Sequence, residues 1–281
     1  MMDTLLEPFQ YTYMSRAIWV SALVGGSCGF LSCFLILKRW SLMGDALSHA
    51  IVPGVAIAYL LGLPYAFAAF TSALVAGLGM VAVRRITQLR EDVIIGFVFT
   101  TMFALGLVIV SINPTAVNVQ SIILGNILAI TDEDILQVIL TVVFAFSILL
   151  IKWRDLFLSF FDEAHSRTVG IDPWRLRILF FLLLSACAVA ALQTVGAVLV
   201  IATLVTPGVT AYLLTSRFNR MIVLAVTLGA GSSAIGAYLS YFLEGTPGGV
   251  IVLFQTFLFI LAFLFSPKHG RLSSFRSERA L

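Results

Sequence analysis

Ala17-Ile-Trp-Val-Ser-Ala-Leu-Val-Gly-Gly-Ser-Cys-Gly-Phe-Leu-Ser-Cys-Phe-Leu-Ile-Leu37 runs without one charged side chain and stops at Lys38-Arg39. About 20 apolar residues are what an α-helix needs to cross the hydrocarbon core of a bilayer. A helix lying on a soluble core would break such a run with polar residues on its outer face. This stretch therefore reads as a membrane span, and the same pattern recurs along the chain.

Composition agrees. Of 281 residues, 60% are apolar and only 11% charged, with a mean hydropathy of +1.05. A soluble domain carries about a quarter charged residues. The apolar runs are long and continuous, which excludes a β-barrel built of short alternating strands. The expected fold is an all-α polytopic membrane protein forming a single domain over residues 1–281. Spans are expected at about 17–37, 45–61, 66–83, 93–112, 134–151, 177–193, 196–215, 221–243 and 249–266, nine in all. Ser121 to Ile130 is apolar but too short to cross, and Gly125-Asn126 breaks it, so a re-entrant or interfacial piece is expected there.

The basic residues sort by side. Strict alternation puts Lys38, Arg39, Arg84, Arg85, Arg90, Lys152, Arg154, Arg167, Arg175, Arg177, Arg217, Arg220, Lys268, Arg271, Arg276 and Arg279 together, and only Arg16 opposite. The positive-inside rule makes the crowded side cytoplasmic, so the N-terminus is expected outside and the C-terminus inside. An eight-span arrangement, with the first or second segment not crossing, is the alternative. Met1 to Ser15 has no basic stretch and carries Asp3 and Glu7, so no cleaved signal peptide is expected. Cys28, Cys33 and Cys187 lie inside apolar runs and read as packing residues. The net charge of +3 follows from topology and gives no reason to expect a nucleic-acid partner.

Small residues recur every fourth position at Ser21, Gly25, Gly29 and Cys33, and again at Ala225, Gly229, Ser233 and Ala237. Such stripes let helices approach closely in lipid, either within the chain or between subunits. The longest polar interruption is the loop at about 153–176. Within it Asp162 reads as an N-cap and Gly170 as the residue after a helix end, framing one short helix. Asp172-Pro173 then opens the next helix. The short helix suits docking to a cytoplasmic partner, or else the loop is a linker lying on the membrane. The basic, Ser-rich tail at 267–281 is expected in solvent or on anionic lipid headgroups.

Outward from the first span lies Ser41-Leu-Met-Gly-Asp-Ala-Leu-Ser-His49, running into Ala50-Ile-Val-Pro-Gly54. Of the 14 acidic residues, Asp45 alone falls in neither a loop nor a segment end, and a carboxylate in an apolar span is a functional-site hypothesis. Asp45 and His49 are four apart, on one helical face and about 6 Å from each other along the axis. Oxygen plus imidazole suits Mn²⁺, Fe²⁺ or Zn²⁺. Two ligands bind weakly enough to release, as a permeation path requires. The competing reading is that Asp45 caps its helix while His49 bonds within the bundle. Pro53 one turn later opens backbone carbonyls to the same path, and Pro207, in Thr206-Pro207-Gly208, is either a packing kink or a second hinge. His165 reads as a surface histidine, Glu91-Asp92 as a helix start, and Asp132-Glu133-Asp134 as either a cap or a lure for cations. No nucleotide site is expected, since Lys38, Lys152 and Lys268 follow Leu, Ile and Pro, whereas a phosphate-binding loop ends in Gly-Lys.

The run Leu37-Lys-Arg-Trp-Ser-Leu-Met-Gly-Asp-Ala-Leu-Ser-His-Ala-Ile-Val-Pro-Gly-Val55 resembles the signature of the manganese/zinc/iron permease family of bacterial ABC importers. The similarity continues through Glu91-Asp-Val-Ile-Ile-Gly96, Leu124-Gly-Asn-Ile-Leu128, Phe161-Asp-Glu-Ala164 and Gln193-Thr-Val-Gly-Ala197 to Thr206-Pro207. The resemblance implies a permease subunit of the bacterial inner membrane, with no cofactor and no ATPase of its own. Its implied partners are a second permease subunit, as a homodimer or a paralogous heterodimer, cytoplasmic ATP-binding subunits and a periplasmic metal-binding protein. It makes Asp45 and His49 the expected metal contacts for manganese, iron or zinc. The loop bearing Asp162, Glu163, His165 and Gly170 becomes the expected coupling helix on the ATPase. Rival readings are a stand-alone proton-coupled metal transporter and, with no HExxH pair to support it, an intramembrane metalloprotease.

Overall fold

The structure, a computed structural model, describes residues 2–112, 131–196 and 199–266. Among these the regular elements are all helices. They are α1 (Met2–Gln10), α2 (Thr12–Lys38), α3 (Met43–Leu61), α4 (Tyr65–Ile86), α5 (Glu91–Ile112) and α6 (Asp132–Phe161). The short α7 (Glu163–Thr168) follows, then α8 (Pro173–Val195), α9 (Val200–Leu214), α10 (Phe218–Phe242) and α11 (Pro247–Phe265). The expected re-entrant piece at Ser121 to Ile130, with Leu124–Leu128, and the tail at 267–281 lie outside the described residues.

Among the described residues every expected span holds a helix, and eight helices are by length and composition long and apolar enough to cross a membrane. The short one is the seventh, not the first or second, and its end lies level with that of α11, where the Ser266 hydroxyl donates to Leu213 O at 2.8 Å. Gly196 takes φ +90 and ends α8, so the run 196–215 yields only the 15 residues of α9. That is about 22 Å of rise against a core of about 30 Å. The fifth span differs in the opposite sense. α6 continues to Phe161 because Leu156, Ser159 and Phe160 recur on one buried face, so the polar connection starts at Asp162, not near 153.

The most buried helices are α2 and α8; α5, α6 and α11 turn apolar faces outward, with Phe97, Phe144 and Leu253 exposed. That outward surface is what lipid demands, since tails are as apolar as leucine. The two small-residue stripes pack on each other within the chain. A β-carbon at Gly25 would meet Gly229 O at 2.5 Å, and one at Gly229 would meet Gly25 O at 2.2 Å. α2 and α10 thus touch backbone to backbone.

The charged ends segregate. Arg16 pairs with Asp132, joining the starts of α2 and α6, whereas Lys38, Arg84, Glu91, Glu163 and Arg177 gather near the other end of α2. There an aromatic cluster closes the bundle: Trp40 stacks on Phe181 at 5.6 Å, and Phe34 meets Phe160, Phe180 and Phe218.

Candidate functional site

α2 ends in a tight turn. Arg39 is left-handed (φ 59), its N–H donates to Ile36 O, and Trp40 N–H donates to Leu35 O at 2.8 Å. The chain re-enters the bundle at once as α3, with Leu42 at the N-cap and no side-chain cap bond. Asp45 is therefore the third residue of the helix. The capping reading fails there: a carboxylate in the first turn still gains from the helix dipole, but it is free to bind something else.

Asp45 and His49 do come together, with Nε2 of His49 3.4 Å from Oδ1 of Asp45. The imidazole stands edge-on to Phe99 and Phe103 of α5, with ring centroids 5.2 and 5.1 Å away. These rings fix one side of the histidine and leave the other open. The side chains keep 38% and 26% of their surface, which is high for an acid and a base in a spanning helix. Among the described residues no third Asp, Glu, His or Cys joins them. His49 lies about 9 Å of rise above Met43, in the third of α3 nearest the Lys38 end.

Pro53 is inside α3, four residues beyond His49, and it has no N–H to give the His49 carbonyl. The break is braced from α4, where the Ser72 hydroxyl donates to Ala50 O at 2.6 Å. It is braced from α5 as well, where a β-carbon at Gly106 would meet the Pro53 nitrogen at 3.0 Å. Pro53, Ile57, Phe67, Ser72 and Met102 line a groove of about 390 Å³, which Asp45 and His49 do not line.

Pro207 sits likewise inside α9. Ser32 of α2 is inserted at this break, accepting from Gly208 N–H at 3.0 Å and donating to Val205 O at 2.9 Å. α9 also reaches the metal-candidate pair's neighbour, since Leu204 packs against Gly44.

The expected short helix is present as α7. The Asp162 carboxylate accepts from His165 N–H at 2.9 Å, and Gly170 (φ +83) follows the helix end, with Ile171 N–H donating back to Ser166 O. Asp172 caps α8 through Trp174 N–H at 3.0 Å with Pro173 in the first turn. His165 and Gly170 are exposed. Glu163 is only partly exposed, keeping 39% of its side-chain surface, and its carboxylate lies 3.7 Å from Lys38 Nζ and pairs with Arg177.

Sequence reading missed this second polar centre. Glu91, expected only to start α5, accepts from Trp40 Nε1 and pairs with Arg84. Charge alternation assigns Lys38, Arg84 and Arg177 to a side of the membrane and nothing more. Pairing among charges so far apart in sequence leaves no periodic signal.

A family model described as ABC 3 transport family matches residues 10–266. The chain is similar to the chelated iron transport system membrane protein YfeC of Yersinia pestis, 62% identical over 98% of this chain and 93% of that protein. It is also similar to the manganese transport system membrane protein MntB of Synechocystis sp., 45% identical over 96% of this chain and 88% of the relative. Among solved structures it resembles PsaBC from Streptococcus pneumoniae in complex with Fab, with a TM-score of 0.85, 31% identity and coverage of 97% of this chain and 99% of that one. The first motif, the capped α7 and the long-range match agree, and the chain is a multi-pass membrane protein of the ABC 3 transport family.

Proposed function

We propose that this chain is the membrane permease subunit of an ATP-binding-cassette importer for a divalent transition metal, manganese or iron, with zinc as a further substrate. The observation that carries the reading is the half-open Asp45–His49 pair on a spanning helix. A carboxylate facing lipid is costly, so its open side needs a protein surface or a cation. A second permease subunit, the same chain or a paralogue, supplies both. Two such pairs facing each other give two carboxylates and two imidazoles, a donor set suited to Mn²⁺ or Fe²⁺. The relatives named for iron and for manganese transport support the same ions.

No bond is made or broken in this chain. The ion exchanges part of its hydration for Asp45 and His49, then leaves toward the side on which the pair opens. Pro53 and Pro207 let α3 and α9 bend, with Ser72 and Ser32 bonded to backbone beside each proline. Cytoplasmic ATP-binding subunits drive the cycle through α7, with Asp162 holding its first turn and His165 and Gly170 on its outer surface. A periplasmic metal-binding protein delivers the ion. This orientation puts the N-terminus in the periplasm and the C-terminus in the cytoplasm of the inner membrane.

The test is manganese or iron uptake into vesicles holding the chain with its ATP-binding and metal-binding partners. ATP-dependent uptake that survives collapse of the pH gradient is expected. Uptake that follows the pH gradient without ATP establishes the proton-coupled alternative instead.

A further inference from the structure

We propose that Glu163 is a positioning residue that carries movement of α7 to the Asp45 end of α3, with Lys38 as the relay. The inference rests on the transporter reading above and assigns Glu163 a role other than contact with the ATP-binding subunit.

Glu163 is the first residue of α7, and its carboxylate, with 39% of the side-chain surface still open, is held against two cations of the chain itself. It meets Lys38, the last residue of α2, at 3.7 Å, and Arg177, which lies one turn into α8. The side chains of Lys38 and Arg177 keep only 18% and 13% of their surface. Beyond Lys38 only Arg39 to Leu42 separate α2 from α3, and those residues are pinned. Besides the bonds of Arg39 and Trp40, Met43 N–H donates to Trp40 O at 3.0 Å and Ala46 N–H to Leu42 O at 3.0 Å. A connection so short and so bonded has little slack. Displacing Lys38 displaces the first turn of α3, where Asp45 sits.

A second contact runs alongside the first. Trp40 is buried in that turn, stands edge-on to Phe160 two residues before Asp162, and donates to Glu91. Glu91 pairs in turn with Arg84. Three cations (Lys38, Arg84, Arg177) thus surround two carboxylates (Glu91, Glu163) in partly buried space. Neutralising Glu163 leaves three cations around one acid. Like charges held close in low dielectric repel, so the assembly would spread rather than move as a unit.

The experiment uses the full complex in vesicles with Mn²⁺ as the probe and reads metal moved per ATP hydrolysed. Glu163→Gln and Lys38→Met are each expected to lower that ratio about tenfold, within the range of pairwise coupling between contacting residues. The double variant should be no worse than either single one, because the link is already broken. The exchange Lys38→Glu with Glu163→Lys should recover part of the loss. If a variant fails to assemble, Glu163→Asp, which shortens the arm by one methylene, should show the same loss in smaller degree. Single losses that multiply in the double variant overturn the proposal. So does Glu163→Gln releasing the ATP-binding subunit during purification, which would place Glu163 at that interface. A wild-type complex that moves neither manganese nor iron with ATP overturns the transporter reading, and this proposal falls with it.

Discussion

Gly29 of α2 lies so close to Ala225 of α10 that a β-carbon at Gly29 would stand 2.3 Å from the Ala225 carbonyl oxygen. The obstacle is backbone, which cannot rotate away. Gly29→Ala is therefore expected to cost about 1–3 kcal/mol through overpacking. Gly79→Ala, with nothing within 4 Å of the added carbon, is expected to be neutral or to gain up to about 1 kcal/mol of helix propensity. Thermal unfolding in detergent separates the two; equal melting temperatures would mean that α2 and α10 are not in backbone contact.

Ser32→Ala removes the hydroxyl that bridges Gly208 N–H and Val205 O beside Pro207. Losing the two bonds that Ser32 makes to α9 backbone costs about 0.5–1.5 kcal/mol each. The variant should melt lower and move metal more slowly. A variant with wild-type melting would show that the α9 break needs no support from α2.

Asp162→Ala removes the cap of α7 and should cost about 0.5–2 kcal/mol of local stability. Since α7 has only 6 residues, that cost should loosen the helix, with weaker retention of ATP-binding subunits on purification. Asp162→Asn keeps an acceptor and should retain them. Equal retention by the Ala and Asn variants would return this segment to the role of linker.

What could be read from sequence follows the range of the interactions. The Asp162 cap, the Gly170 turn and the Asp172-Pro173 start act within a few residues, and each appears where its chemistry requires. The Gly25–Gly29 stripe was visible as a stripe, but its partner helix lies some 200 positions on, and only packing identifies it. The helix in the run 196–215 is shorter than the apolar run because hydropathy counts Gly196 as neutral, whereas its positive φ stops a helix. Asp45 does not cap α3, because the N-cap is Leu42, three residues earlier. The network of Lys38, Glu163 and Arg177 was out of reach: alternation assigns charges to a side of the membrane and says nothing of which neighbours they meet.

The central claim is that metal passes Asp45 and His49. Its most direct measurement is manganese uptake by the reconstituted complex carrying Asp45→Asn or His49→Gln, substitutions that keep size while removing the ligand charge or the imidazole. Uptake should fall to background in each variant while the ATP-binding subunits still co-purify. Wild-type uptake by either variant would contradict the account and move the ion's route elsewhere in the chain.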